Sequence, residues 1–203
     1  MKIICIGRNY AEHVRELKST VPSEPVFFCK PDTALLIRNR PFFIPDFTQE
    51  LHYEVEIVVK INKLGKNISE KFAHTYYEEI GVGIDFTARD LQRNCIEKGL
   101  PWEMSKGFDY SAVINKFLKK EELGDLQNIN FRLEQNGKVV QQGNSRNMIF
   151  SIDKLISYVS KFMTLKTGDY LFTGTPVGVG PVAINDKLEA FLGEQSLLKC
   201  TVK

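Results

Sequence analysis

Between Leu51 and Ile61 the residues Val55, Ile57, Val59 and Ile61 fall on every second position. A helix would scatter them around its circumference, so this period-2 alternation specifies an extended strand, half-buried on its apolar face. Glu54 and Glu56 lie on the other side of that strand, and side chains two apart project in the same direction. Two carboxylates therefore leave the strand together. Taken alone, such a pair is most simply a solvated face, which is where charges ordinarily sit.

Shorter signals surround this strand. Ile3 to Ile6 reads as a buried strand broken at Gly7, and Tyr10, Val14 and Leu17 then recur at helical spacing. Val26 to Cys29, enclosed by Pro22, Pro25 and Pro31, has strand composition. Phe72 to Glu79 is expected to be helical, Ile80 to Asp85 is a strand containing Gly81 and Gly83, and Ala88 to Ile96 is again helical. Asn136-Gly137 between Arg132 to Gln135 and Lys138 to Val140 predicts a hairpin, because both residues accept the positive φ of a type I′ turn. Ser151 can cap a helix whose apolar positions Ile152, Leu155, Ile156, Val159, Phe162 and Met163 follow the 3.6 period. After Thr167-Gly168-Asp169 a strand leads into the glycine-rich stretch Thr173 to Pro181, and two short strands complete the sequence. No repeat, low-complexity tract or linker divides the chain, and at roughly 150 residues per domain residues 1–203 are expected to form one.

Composition removes several classes of function. With 43% hydrophobic and 26% charged residues the chain lies far from the balance of a disordered protein. A net charge of +2, from 27 basic and 25 acidic side chains, lacks the basic footprint of a nucleic-acid binder. Cys5, Cys29, Cys95 and Cys200 form no C-x-x-C pair, which argues against a zinc knuckle and fits reduced thiols in a cytoplasm. No apolar run approaches the ~20 residues of a membrane span, so a cytoplasmic location without membrane association is expected.

Asp85 ends an apolar strand that its glycines leave open to close approach, where a carboxylate is less readily explained by solvation. Together with Glu54 and Glu56 it makes an all-oxygen set, suited to Mg²⁺ first, to Mn²⁺ or Ca²⁺ next, and not to zinc or copper. Three carboxylates around a divalent ion leave one negative charge, which Arg89 and Lys106 could offset if they are not merely surface cations. On the first helix His13 and Glu16 are three apart and hence neighbours; the carboxylate can orient the imidazole as a base, or the two can form an exposed ion pair. The Thr173 to Pro181 stretch could cradle an anion with its amides or be an irregular turn, but it lacks the Lys-Ser/Thr of a P-loop.

In this order the pieces resemble the fumarylacetoacetate hydrolase superfamily, specifically its short acylpyruvase and oxaloacetate decarboxylase-like members. The resemblance runs through Gly7-Arg8-Asn9-Tyr10 with His13 and Glu16, Lys30-Pro31, His52 with Glu54-Val55-Glu56, Asp85 to Asp90, Gly99 to Trp102, Lys106, and Thr173 to Pro176. It implies a mixed, β-dominated α+β fold, a β-sandwich roll like that family's C-terminal domain with a few short helices. It implies a metal held by Glu54, Glu56 and Asp85, a His13/Glu16 dyad on a mobile lid helix around residues 10–20, a catalytic Lys106, and a homodimer. Arg8, Arg89, Gln92 and Thr175 match positions that line the family's substrate pocket. The implied activity is Mg²⁺-dependent cleavage at C3 of a small 2-oxo acid, either acylpyruvate hydrolysis or oxaloacetate decarboxylation. Isomerase, tautomerase or hydratase chemistry on oxaloacetate or a hydroxydienedioate would use the same site. A metal-dependent nuclease and a non-catalytic 2-oxo acid-binding module are the rivals from other classes. Asp32 after Lys30-Pro31, and Asp153, depart from the family's usual residues and bear on substrate choice.

Overall fold

The structure is a computed structural model that describes residues 1–17 and 19–203. Lys18, inside the expected lid segment, lies outside the described residues. The chain runs through β1 (Ile3–Gly7), α1 (Ala11–Glu16), β2 (Val26–Lys30), β3 (Leu35–Leu36), β4 (Leu51–Tyr53) and β5 (Val55–Ile61). It continues with α2 (Glu70–Ala73), β6 (Tyr77–Asp85), β7 (Thr87–Ala88), α3 (Arg89–Lys98), α4 (Glu103–Lys106) and β8 (Ala112–Lys119). After β9 (Asn130–Gln135), β10 (Lys138–Asn144) and α5 (Ile152–Phe162) come β11 (Tyr170–Phe172), β12 (Gly180–Pro181), β13 (Lys187–Leu192) and β14 (Gln195–Thr201). A seven-stranded sheet has the order β2-β1-β11-β5-β6-β8-β3, a four-stranded sheet the order β10-β9-β13-β14, and a small third sheet joins β12, β4 and β7. The result is a strand-dominated α+β roll, as expected.

The main core is built from one face of the large sheet (Ile4, Ile57, Val59, Ile80, Val82), from Leu133, Leu188 and Ala190 of the four-stranded sheet, and from the apolar stripe of α5. Ser151 caps that helix by accepting from the Lys154 amide at 3.3 Å. The hairpin turn takes the expected left-handed conformation at Asn136 (φ 54°) and Gly137 (φ 77°).

The half-buried reading of β5 does not hold. It is the middle strand of seven, and Val58, on the same side as Glu54 and Glu56, packs in a second apolar cluster with Cys5, Ile114 and Phe172. Both faces are covered, and the two glutamates point into protein. The expected helix at Phe72 to Glu79 is also corrected: α2 ends at Ala73, a single 3₁₀ turn spans His74–Tyr76, and Tyr77 already belongs to β6. Local helix preference is weak. Here it yields to pairing, with Tyr77 buried and donating to Asp153 at 3.1 Å and Glu79 bound to Lys60 across the strands at 2.7 Å.

Gly83 stands opposite Glu56 in the β5–β6 register. A Cβ there would lie 2.7 Å from Phe172 Cε1, 2.8 Å from Val58 Cγ2 and 2.9 Å from the Val113 carbonyl oxygen. Gly83→Ala is therefore expected to destabilise the protein by about 2 kcal/mol through overpacking, read as a lower urea midpoint; an unchanged midpoint would refute this close packing.

Candidate active site

Three carboxylates converge where β5 and β6 begin and end. Glu54 sits at the junction of β4 and β5, and the antiparallel register Val55↔Ile84 brings Asp85 beside it, the Asp85 amide donating to the Glu54 carbonyl at 2.8 Å. Glu54, Glu56 and Asp85 are 5%, 2% and 1% exposed, and one oxygen from each lies within 4.8 Å of the others. Ligands on opposite sides of a hard cation with bonds of 2.0–2.6 Å stand about 4–5 Å apart. The spacing fits such an ion.

Three cations press on this group. Lys106 Nζ, from α4, is 2.8 Å from both Glu54 Oε2 and Asp85 Oδ2. Arg89, at the start of α3, donates to Glu54 Oε1 and to Gln92 Oε1, each at 2.5 Å. Lys30, at the end of β2, reaches Asp85 Oδ1 at 2.6 Å. Its donation goes instead to the carbonyls of Lys106, Ser111 and Phe86 and to the Ser111 hydroxyl. Asp85 Oδ1 is thus left without a hydrogen bond. Arg89 and Lys106, foreseen as compensating charges, do meet the carboxylates. Lys30 was quoted only within the Lys30-Pro31 motif of the resemblance and given no role in the site; its other signal is a charged residue closing the apolar run Val26 to Cys29.

The acids are unequal. Burial alone would raise the Glu54 carboxyl, but Lys106 and Arg89 overcome it and hold the group well below the usual carboxylate range. Burial likewise opposes the charged form of Lys106, and Asp85 with Glu54 raises it above an ordinary lysine. Glu56 accepts one backbone hydrogen bond, from the Gly174 amide at 2.7 Å, and among the described residues it has no ion pair. Burial first, then the charges of Asp85 and Glu54, push its carboxyl well up. An under-compensated buried acid, and an Asp85 oxygen that faces Lys30 but accepts no hydrogen bond, are what a divalent ion would satisfy.

His13, 4% exposed on α1, faces the same cavity, and its Nδ1 lies 2.8 Å from Glu16 Oε2. The other Glu16 oxygen accepts from the Gly178 amide at 3.0 Å. In the stretch Thr173 to Pro181 two separate amides, of Gly174 and Gly178, donate to the chain's own Glu56 and Glu16, instead of successive amides forming one nest. The cavity measures about 460 Å³ and is lined by Arg8, Arg89, Gln92, Lys106 and Thr175 as well as the carboxylates. Thr175 shapes the wall: its hydroxyl donates to the Val55 carbonyl and accepts from Gln141 Nε2, both at 2.9 Å. His52, quoted above only within a motif, joins the lining, with Nδ1 3.4 Å from Arg89 Nε and Nε2 3.2 Å from Glu50 Oε1. Burial and then Arg89 lower its pKa. Among the described residues no helix is long and apolar enough to cross a membrane.

Known proteins resemble this chain over almost all of its length. The family described as "Fumarylacetoacetate (FAA) hydrolase C-terminal" matches residues 2–203. Oxaloacetate tautomerase FAHD1, mitochondrial, of Bos taurus is 47% identical over 188 residues, covering 93% of this chain and 85% of that protein. Oxaloacetate decarboxylase, mitochondrial, of Dictyostelium discoideum is 42% identical over 182 residues, 89% of this chain and 84% of that protein. Among solved structures, fumarylpyruvate hydrolase from Pseudomonas aeruginosa in complex with Mn²⁺ and pyruvate superposes with a TM-score of 0.94 at 35% identity, covering 100% of this chain and 89% of that one. With residues 2–203 matched and its carboxylates gathered in one pocket, the chain belongs to the fumarylacetoacetate hydrolase family.

Proposed function

We propose that this protein is a divalent-metal enzyme acting at C3 of a small 2-oxo dicarboxylate of the oxaloacetate class, with keto–enol proton transfer as its first activity. The supporting observation is the buried triad Glu54, Glu56 and Asp85 in the cavity that His13 faces. Charge supports the substrate class. Glu54, Glu56 and Asp85 are balanced in number by Lys30, Lys106 and Arg89, so a divalent ion leaves two positive charges that a dianion neutralises. Relatives named for oxaloacetate tautomerisation and decarboxylation support the reaction.

A metal held by Glu54, Glu56 and Asp85, Mg²⁺ by preference, supplies Lewis acidity toward the substrate's carboxylate and 2-oxo oxygens. Glu16 holds His13 Nδ1, which leaves Nε2 to move a proton to or from C3. Lys106 stabilises the negative charge that develops on the enolate oxygen. In decarboxylation the C3–C4 bond breaks, carbon dioxide leaves, and the electron pair remains on the enolate until C3 is protonated. For an acylpyruvate, His13 would instead take a proton from the water that attacks the distal carbonyl; the bond from C3 to that carbon then breaks, a carboxylic acid leaves, and the electron pair stays on the pyruvate enolate until C3 is protonated. The fumarylpyruvate hydrolase likeness favours that second reading. The Glu16–Gly178 contact supports α1 as a lid closed onto the glycine-rich loop.

A parallel assay on oxaloacetate, an acylpyruvate and a hydroxydienedioate, with Mg²⁺ and with excess chelator, tests the proposal. Acceleration of the oxaloacetate keto–enol exchange, abolished by chelator, is expected. Full turnover in chelator would contradict it.

A further inference from the structure

We infer that Arg8 reads the distal carboxylate of the substrate and so sets the preference for dianions over 2-oxo acids with apolar tails. This rests on the function proposed above and names the group that selects within it.

Arg8 follows the last residue of β1 with φ at 61°, a left-handed conformation that non-glycine residues adopt at a cost. Its neighbour holds it there. Asn9 is fully buried and bound through its side chain to the Thr173 carbonyl at 2.8 Å, the Phe150 carbonyl at 3.1 Å and the Phe150 amide at 2.8 Å. The strained backbone of Arg8 is thus held at the wall of the catalytic cavity.

The other cations of that cavity are committed. Lys106 holds Glu54 and Asp85, Arg89 holds Glu54, and Arg93 is paired in bidentate fashion with Glu50. Among the described residues, no carboxylate lies within ion-pair distance of Arg8. Arg8 lines a cavity proposed to take acids and has no ion pair there, and the planar fork of a guanidinium suits bidentate binding of a carboxylate. Phe28, Trp102 and Ile96 line the same cavity and would suit an apolar tail instead, so the discrimination turns on Arg8.

Calorimetric binding of 2-oxoglutarate and 2-oxobutanoate in Mg²⁺ tests this, because the two share a chelating head and differ in the tail. In Arg8→Gln, 2-oxoglutarate affinity should fall about 10- to 100-fold, the worth of a charge-assisted pair, with 2-oxobutanoate changed less than about 2-fold and Arg8→Lys recovering part of the loss. Arg8→Gly, which accepts the same φ without strain, serves the comparison if Arg8→Gln does not fold. Equal weakening of both probes, or of neither, overturns the assignment of Arg8 alone. Failure of the wild type to bind either probe in Mg²⁺ overturns the proposed function and this inference with it.

Discussion

Glu56→Ala should abolish turnover of every substrate and weaken Mg²⁺ binding by on the order of 100-fold or more, since even supporting groups of metal sites cost 10- to 100-fold. Glu56 is the sharpest probe of the triad because its neighbours do not depend on it. Removing Glu54 strands Arg89 and half of the Lys106 contacts, and removing Asp85 strands Lys30 as well. Breaking such buried pairs typically costs 3–5 kcal/mol, roughly the scale on which folding itself fails. Glu56 accepts from the Gly174 amide and feels the Lys106 charge without pairing with it, while burial and two repelling acids outweigh both. In chelator, Glu56→Gln should therefore melt no lower than the wild type while losing the metal response. A variant that melts far lower would show that Glu56 supports the fold and not an ion.

His13→Ala should lower the proton-transfer rate by about 10²- to 10⁴-fold, the usual contribution of a positioned acid–base, while Mg²⁺ affinity stays within about 2-fold. The split separates the two halves of the site. His13 is held by Glu16 and supplies none of the three carboxylates, only a minor charge effect on Glu54 after Lys106 and Arg89, so metal binding should barely register its loss. Glu16→Gln should fall between wild type and His13→Ala, since a neutral amide still touches Nδ1 but no longer stabilises the imidazolium. Unchanged keto–enol exchange in His13→Ala would eliminate its proposed role. Loss of exchange with oxaloacetate decarboxylation preserved would locate His13 on the protonation path and not on the carbon–carbon step.

Much of the site was legible because its residues sit on regular elements with clear periods. Alternation placed Glu54 and Glu56 on one side of the strand that became β5, and the apolar run with Gly81 and Gly83 put Asp85 at the end of its own. The hairpin at Asn136-Gly137 and the Ser151-capped α5 follow from local chemistry alone. What stayed hidden depends on partners distant in sequence. β8 breaks the alternation, three buried residues being followed by Asn115 and Lys116, and it becomes a strand by pairing with β6. Glu56 looked solvated because nothing within the strand reveals the second apolar layer formed by Cys5, Ile114 and Phe172. Lys30 meets Asp85 across 54 intervening positions, a contact that no local pattern encodes.

The central claim is that Glu54, Glu56 and Asp85 grip one divalent ion. A crystal grown or soaked with Mn²⁺ and examined by anomalous scattering decides it: a single strong peak bonded to one oxygen from each of the three is the expected result. A peak held elsewhere, or none with the three carboxylates still engaged only by Lys30, Lys106 and Arg89, would contradict it.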